Sequence, residues 1–146
     1  MFSLYSRIVV AYDHSELGKK ALETALKIVA QDERIELDVI TVVSIPTSAF
    51  YAASAYSIDP IRDAQLAVAK EVLQEVKEKL ESLPNKSRTF IMEGSPAQAI
   101  LEFAKENEAS LIVMGSRGLS GVKELFLGSV SHYVVQQATC PVFIVK

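Results

Sequence analysis

Apolar residues fall along this chain in five short runs, separated by longer stretches in which they recur every three or four positions. The runs are "RIVVAYD" (residues 7–13), "LDVITVV" (37–43), "RTFIME" (88–93), "SLIVMG" (110–115) and "PVFIVK" (141–146). Each is short, β-branched and nearly continuous in apolar character. Strands read this way when both faces of their sheet are covered, as in parallel α/β sheets. Between the runs the period changes. Leu17, Ala21, Ala25 and Ile28 repeat at helical spacing behind Ser15, a good N-cap. A second helix carries the stripe Leu66, Ala69, Leu73, Val76 and Leu80, with Lys70, Glu71, Glu75, Lys77 and Glu78 on its opposite, solvated face. A third has Ser95 as cap and Pro96 in its first turn, then Ala97, Ile100, Leu101 and Ala104 facing inward. The last is expected to begin near Ser129 and to run through "VSHYVVQQAT" until Pro141 stops it.

Strands alternating with helices predict a single α/β domain over residues 1–146, a doubly wound parallel sheet built from right-handed βαβ units with helices on both faces. One segment fits no regular element. Residues 44–59, "SIPTSAFYAASAYSID", hold Phe50, Tyr51 and Tyr56 but no charge before Asp59. Connections this long tend to be functional or disordered, and both an ordered flap or partner contact and a mobile loop stay open.

Composition narrows the function classes. The chain has 146 residues, 49% of them hydrophobic, and a net charge of −3, which gives no basic footprint for nucleic acid. An anionic small ligand is still compatible, provided the positive potential is local. The single cysteine, Cys140, cannot form an internal disulfide and fits a reducing compartment. No signal-peptide core precedes Asp13, and no apolar run approaches the roughly 18 residues of a membrane span, so a cytoplasmic protein is expected.

In open α/β sheets ligands sit beyond the carboxyl ends of the strands, where the winding reverses. The strand assignment brings Ala11, Tyr12 and Asp13, then Val42 and Val43, then Glu93 and Gly94, to that end. It also brings "GSRGLSGVKELFLGS" (residues 115–129), which holds four of the six glycines. Gly115 and Gly118 would allow a tight turn and close backbone approach. Gly128 and Ser129 fall at the start of the last helix, whose free N–H groups and dipole favour a phosphate. Ser129 and Ser131 could add hydroxyl donors, and Lys123 or Arg117 charge. The stretch matches neither GxxxxGK[ST] nor GxGxxG. On spacing alone it is a phosphate cradle or simply a turn. Asp13 likewise is a ligand contact or a helix cap. His14 and His132 lack metal-ligand spacing, and Cys140 lacks a base partner.

The spacing G-x2-G-x9-G-[ST], present as Gly115, Gly118, Gly128 and Ser129, resembles the nucleotide signature of the universal stress protein family. "IVVAYDHSELGKKALETAL" looks like that family's first strand and helix. "EGSPAQAILEFAKENEASLIVMGSRG" and "GSVSHYVVQQATCPVFIVK" look like its second half. The resemblance implies a Rossmann-like five-stranded sheet of order 3-2-1-4-5 and an ATP-binding stress-response regulator or sensor. The alternatives are a slow ATP hydrolase or autophosphorylating phosphotransferase, and a non-binding dimeric scaffold. It implies a site of Ala11, Asp13, Val42, Met114, Gly115, Arg117, Gly118, Gly128, Ser129, Val130 and Ser131. Asp13 would lie near the nucleoside, main-chain groups of Val42 would hold adenine, and Gly128 and Ser129 would hold the phosphates. ATP, ADP or AMP is the implied ligand, accompanied by Mg²⁺ or Mn²⁺. A homodimer through Val142–Val145 and an unidentified protein partner are implied too. Thr41 stands where many members carry histidine.

Overall fold

The computed structural model describes residues 5–44, 59–117 and 127–146. Five strands alternate with four helices: β1 (Arg7–Ala11), α1 (Glu16–Val29), β2 (Glu36–Val43), α2 (Asp59–Leu80), β3 (Ser87–Glu93), α3 (Pro96–Glu106), β4 (Leu111–Gly115), α4 (Ser129–Gln137) and β5 (Val142–Val145). All strand pairs are parallel, and the order is β3-β2-β1-β4-β5, the doubly wound arrangement expected from the sequence.

Alternation along the strands divides the interior in two. Ile8 and Val10 of β1, Leu37 and Val39 of β2, and Leu111 and Val113 of β4 meet Ala21, Leu22, Ala25 and Val29 of α1 and Leu73, Val76 and Leu80 of α2. Val9, Ile40, Ile112 and Met114 point the other way, against Ile100, Phe103 and Ala104 of α3 and Val134 of α4. Each helix therefore buries one stripe and each central strand buries both faces, which explains runs with no polar alternation.

The one buried charge in the central strands is Asp38, 1% exposed. It lies at the amino end of the sheet, where Arg7 donates to its Oδ2 at 2.9 Å and Arg88 grips both oxygens at 2.8 and 2.9 Å. Arg7 also pairs with Glu36, and Arg88 reaches Asn107 at the end of α3. A buried carboxylate persists because its lone pairs are filled by charged donors on the flanking strands.

Several element ends differ in detail from the sequence expectation. β1 stops at Ala11 rather than Asp13, because the Asp13 side chain bonds forward to Ser15 and His14 takes a left-handed φ of 55°. Ser95 occupies the N-cap of α3 but makes no side-chain cap hydrogen bond. α4 ends at Gln137, before the extended Ala138, and its N-cap is Gly128, with Ser129 the first helical residue.

Candidate functional site

The sheet order reverses between β1 and β4. Their ladder ends at Val10 and Val113, beyond which the chain leaves β1 for α1 and leaves β4 for the glycine-rich stretch. A crevice at this switch point is the topological consequence. Its walls are the turn after β1, the end of β2, and the β4–α4 junction.

The first wall is the turn through Asp13. Its Oδ1 accepts from the Ser15 N–H at 3.1 Å and from the Ser15 hydroxyl at 2.6 Å. Ser15 Oγ in turn accepts from the Gly18 N–H at 3.0 Å, so Ser15 caps α1 as its position suggests. Gly18 is bare for a local reason: a Cβ there would lie 2.5 Å from Asp13 Oδ1. Tyr12 beneath is 4% exposed. Burial, followed by the charges of Glu75 and Asp13, holds its phenol above the ordinary range, so it is a neutral packing group.

The second wall is the end of β2. The Ile40 carbonyl accepts from the Tyr12 N–H at 2.8 Å, and the Val43 carbonyl accepts from the Gly94 N–H at 3.0 Å. Residues of a parallel strand alternate the side to which their backbone groups point. The N–H and C=O of Val42 therefore face the β1 side, as those of Ile40 do, but β1 has already ended. The Tyr12 carbonyl is taken by the Thr41 hydroxyl at 2.8 Å. Val42 thus presents a backbone donor and acceptor with no strand partner among the described residues.

The third wall is the β4–α4 junction. The Ser116 carbonyl accepts from the Gly128 N–H at 2.7 Å and from the Ser131 hydroxyl at 2.7 Å, drawing the start of α4 back onto the end of β4. Helix geometry leaves the N–H groups of Ser129, Val130 and Ser131 without intrahelical partners. Among the described residues no side chain caps them, and no acidic residue lies in the first turn. α1 is the contrast, capped by Ser15 with Glu16 in its first turn. Half-buried Arg117, whose Cα lies 3.5 Å from where a Gly128 Cβ would stand, brings a positively charged residue to the backbone beside the helix start.

Most of the expected residues gather at this end of the sheet, but their roles divide. Ala11 and Met114 point into the core against α3 and α4, so only their main chain could meet a ligand. Gly115 is bare because α1 presses on it: a Cβ would come 2.8 Å from Leu17 Cβ. Ser131, expected as a phosphate donor, is 2% exposed and commits its hydroxyl to Ser116 and Gly128, at 2.7 and 3.1 Å. Ser129 is exposed at the first helical position, and Val130 is half-buried. Gly118, Gly121 and Lys123 lie outside the described residues, as do residues 45–58. Among the described residues no cluster of three or more His, Cys, Asp or Glu could hold a metal, and no helix is long and apolar enough to cross a membrane.

Residues 4–146 match the model of the universal stress protein family. The chain belongs to that family. The universal stress protein YxiE of Bacillus subtilis is 39% identical over 150 residues, covering 98% of this chain and 100% of the relative. Among solved structures, the universal stress protein UspA from Lactobacillus plantarum superimposes with a TM-score of 0.84 at 26% identity, over 99% of this chain and 100% of that one. A universal stress protein in complex with cAMP superimposes with a TM-score of 0.74 at 26% identity, over 99% of both chains. In this universal stress protein the sequence alone did not single out Gly18, which makes room for Asp13. A glycine inside an otherwise good helix pattern was the available signal, since it costs about 1 kcal/mol against alanine and so points to a local need.

Proposed function

We propose that this universal stress protein binds an adenine nucleotide, foremost ATP, in the β1–β4 crevice, and that occupancy is a regulatory signal in the cytoplasm rather than the start of a catalytic cycle. The observation that carries the reading is the uncapped, acid-free start of α4, folded onto the end of β4 and facing the switch point. Unpaired N–H groups at a helix N-terminus, reinforced by the dipole and by Arg117, suit a phosphate chain. At the other end of the crevice, the C=O and N–H of Val42, without a strand partner among the described residues, complement the N6 donor and N1 acceptor of adenine. Asp13 lies between, with a carboxylate oxygen for the ribose. The cAMP complex of the 26%-identical relative supports the ligand class.

A divalent ion would arrive on the phosphates, the usual arrangement for Mg²⁺, with Asp13 a carboxylate at the crevice that could complete its shell. Phosphoryl transfer needs a positioned nucleophile, a base and concentrated positive charge. Asp13 is the one candidate base at the crevice among the described residues, and its Oδ1 is already committed to Ser15. Signalling by occupancy therefore fits better than turnover. The output passes to a protein partner through a homodimer formed on β5.

Native mass spectrometry of freshly purified protein tests the reading directly. The expected spectrum is a dimer carrying an adenine nucleotide, and calorimetry on stripped protein is expected to give ATP–Mg²⁺ binding heat. Silence in both, with AMP and ADP also inert, would overturn it. Phosphate release over many turnovers that disappears in Asp13→Ala would replace it with a hydrolase.

A further inference from the structure

We infer that Ser15 is a positioning residue for the Asp13 carboxylate, setting nucleotide affinity without touching the nucleotide. The inference rests on the nucleotide-binding reading above and adds a group that neither the glycine signature nor the strand ends point to. Three distances define a directional chain: the Gly18 N–H donates to Ser15 Oγ at 3.0 Å, and Ser15 donates to Asp13 Oδ1 from its hydroxyl at 2.6 Å and from its N–H at 3.1 Å. A serine hydroxyl has one hydrogen. Since its oxygen is the acceptor for the first turn of α1, that hydrogen is directed to the carboxylate.

Both donors of Ser15 fall on Oδ1, and Oδ2 has no partner among the described residues. One edge of the carboxylate is thereby anchored to the start of a helix, and the other is left for a ligand. The left-handed step at His14, φ 55°, folds the chain so that Ser15 can reach back two residues. Bare Gly18 provides the space, because a Cβ would stand 2.5 Å from Oδ1. A carboxylate held in this way enters binding with its orientation already fixed, which removes an ordering cost.

The test is ATP titration of five proteins: wild type, Ser15→Thr, Ser15→Gly, Asp13→Ala, and Ser15→Gly combined with Asp13→Ala. Glycine is a fair N-cap, so helix α1 stays formed in Ser15→Gly, with thermal melting as the check. Loss of a hydrogen bond to a charged group predicts roughly tenfold weaker binding in Ser15→Gly. Ser15→Thr, which keeps the hydroxyl, is expected within about twofold of wild type. In the Asp13→Ala background, Ser15→Gly should change nothing further, because a positioning residue has no effect once its target is gone. Wild-type affinity in Ser15→Gly, wild-type affinity in Asp13→Ala, or an equal loss in both backgrounds each overturns the inference. A wild type that binds no nucleotide overturns the underlying reading, and this inference with it.

Discussion

Gly128 and Gly115 are alike in sequence and opposite in physical role. At Gly115 the neighbour is the chain itself, with Leu17 Cβ 2.8 Å from where a side chain would begin. At Gly128 the backbone φ is an ordinary −69°, and a Cβ would meet Ser116 and Arg117 backbone atoms at 3.5 Å and Ser131 Oγ at 3.8 Å, all ordinary contacts. Nothing in the described residues demands glycine at 128, so its bareness serves the space in front of it. Gly128→Val is therefore expected to abolish ATP binding by calorimetry while the protein still melts cooperatively. Its stability should fall by about 1 kcal/mol, since valine is a poor N-cap. A variant that bound ATP normally would remove the cradle from the site. The sequence showed four glycines in one stretch and could not divide these roles, because a close approach is made by residues distant in the chain. Ser131 was unreadable for the same reason: its hydroxyl is taken by Ser116, fifteen positions away.

The identity of the elements along the chain was legible because each central strand is buried on both faces and each helix on one, and those two conditions write different periods. The ends were less so. β1 was read two residues too long, since Tyr12 continues the apolar run and only the hydrogen bonds that Ser15 donates to the Asp13 side chain turn the chain aside. The join between α1 and the loop before β3 was not visible at all. Asn85, 5% exposed, directs its Nδ2 at the carbonyls of Val29, Asp32 and Ile35, at 3.0, 2.9 and 2.8 Å. It closes the open end of α1 and fixes the loop entering β2. Asn85→Ala should lower stability by about 3 kcal/mol in chemical denaturation, by stranding those carbonyls away from water. Nucleotide affinity should hold, because Asn85 lies at the opposite end of the sheet from the crevice.

For the molecule as a whole, the open question of surface lies at β5. It is an edge strand with Phe143 46% exposed, and Tyr133 and Val135 of α4 add apolar surface at 41% and 45%. An unpaired edge beside apolar side chains invites another chain, and a second copy supplies a self-complementary one. Phe143→Lys is expected to turn a dimer into a monomer in sedimentation equilibrium, with ATP binding retained. The order β3-β2-β1-β4-β5 has a further consequence for how the molecule is made. β1 gains its second neighbour only when β4 arrives, and the two are joined by bonds such as that from the Ser110 N–H to the Arg7 carbonyl. The crevice is accordingly composed of two halves of the chain, with Asp13 and Val42 from one and Arg117 and Gly128 from the other. Exposed Gly94, with φ 133°, is a natural place to divide them. On the proposed nucleotide-binding reading, two fragments cut there are each expected to be blind to nucleotide and to recover binding when mixed, a result that titration of the pair would read.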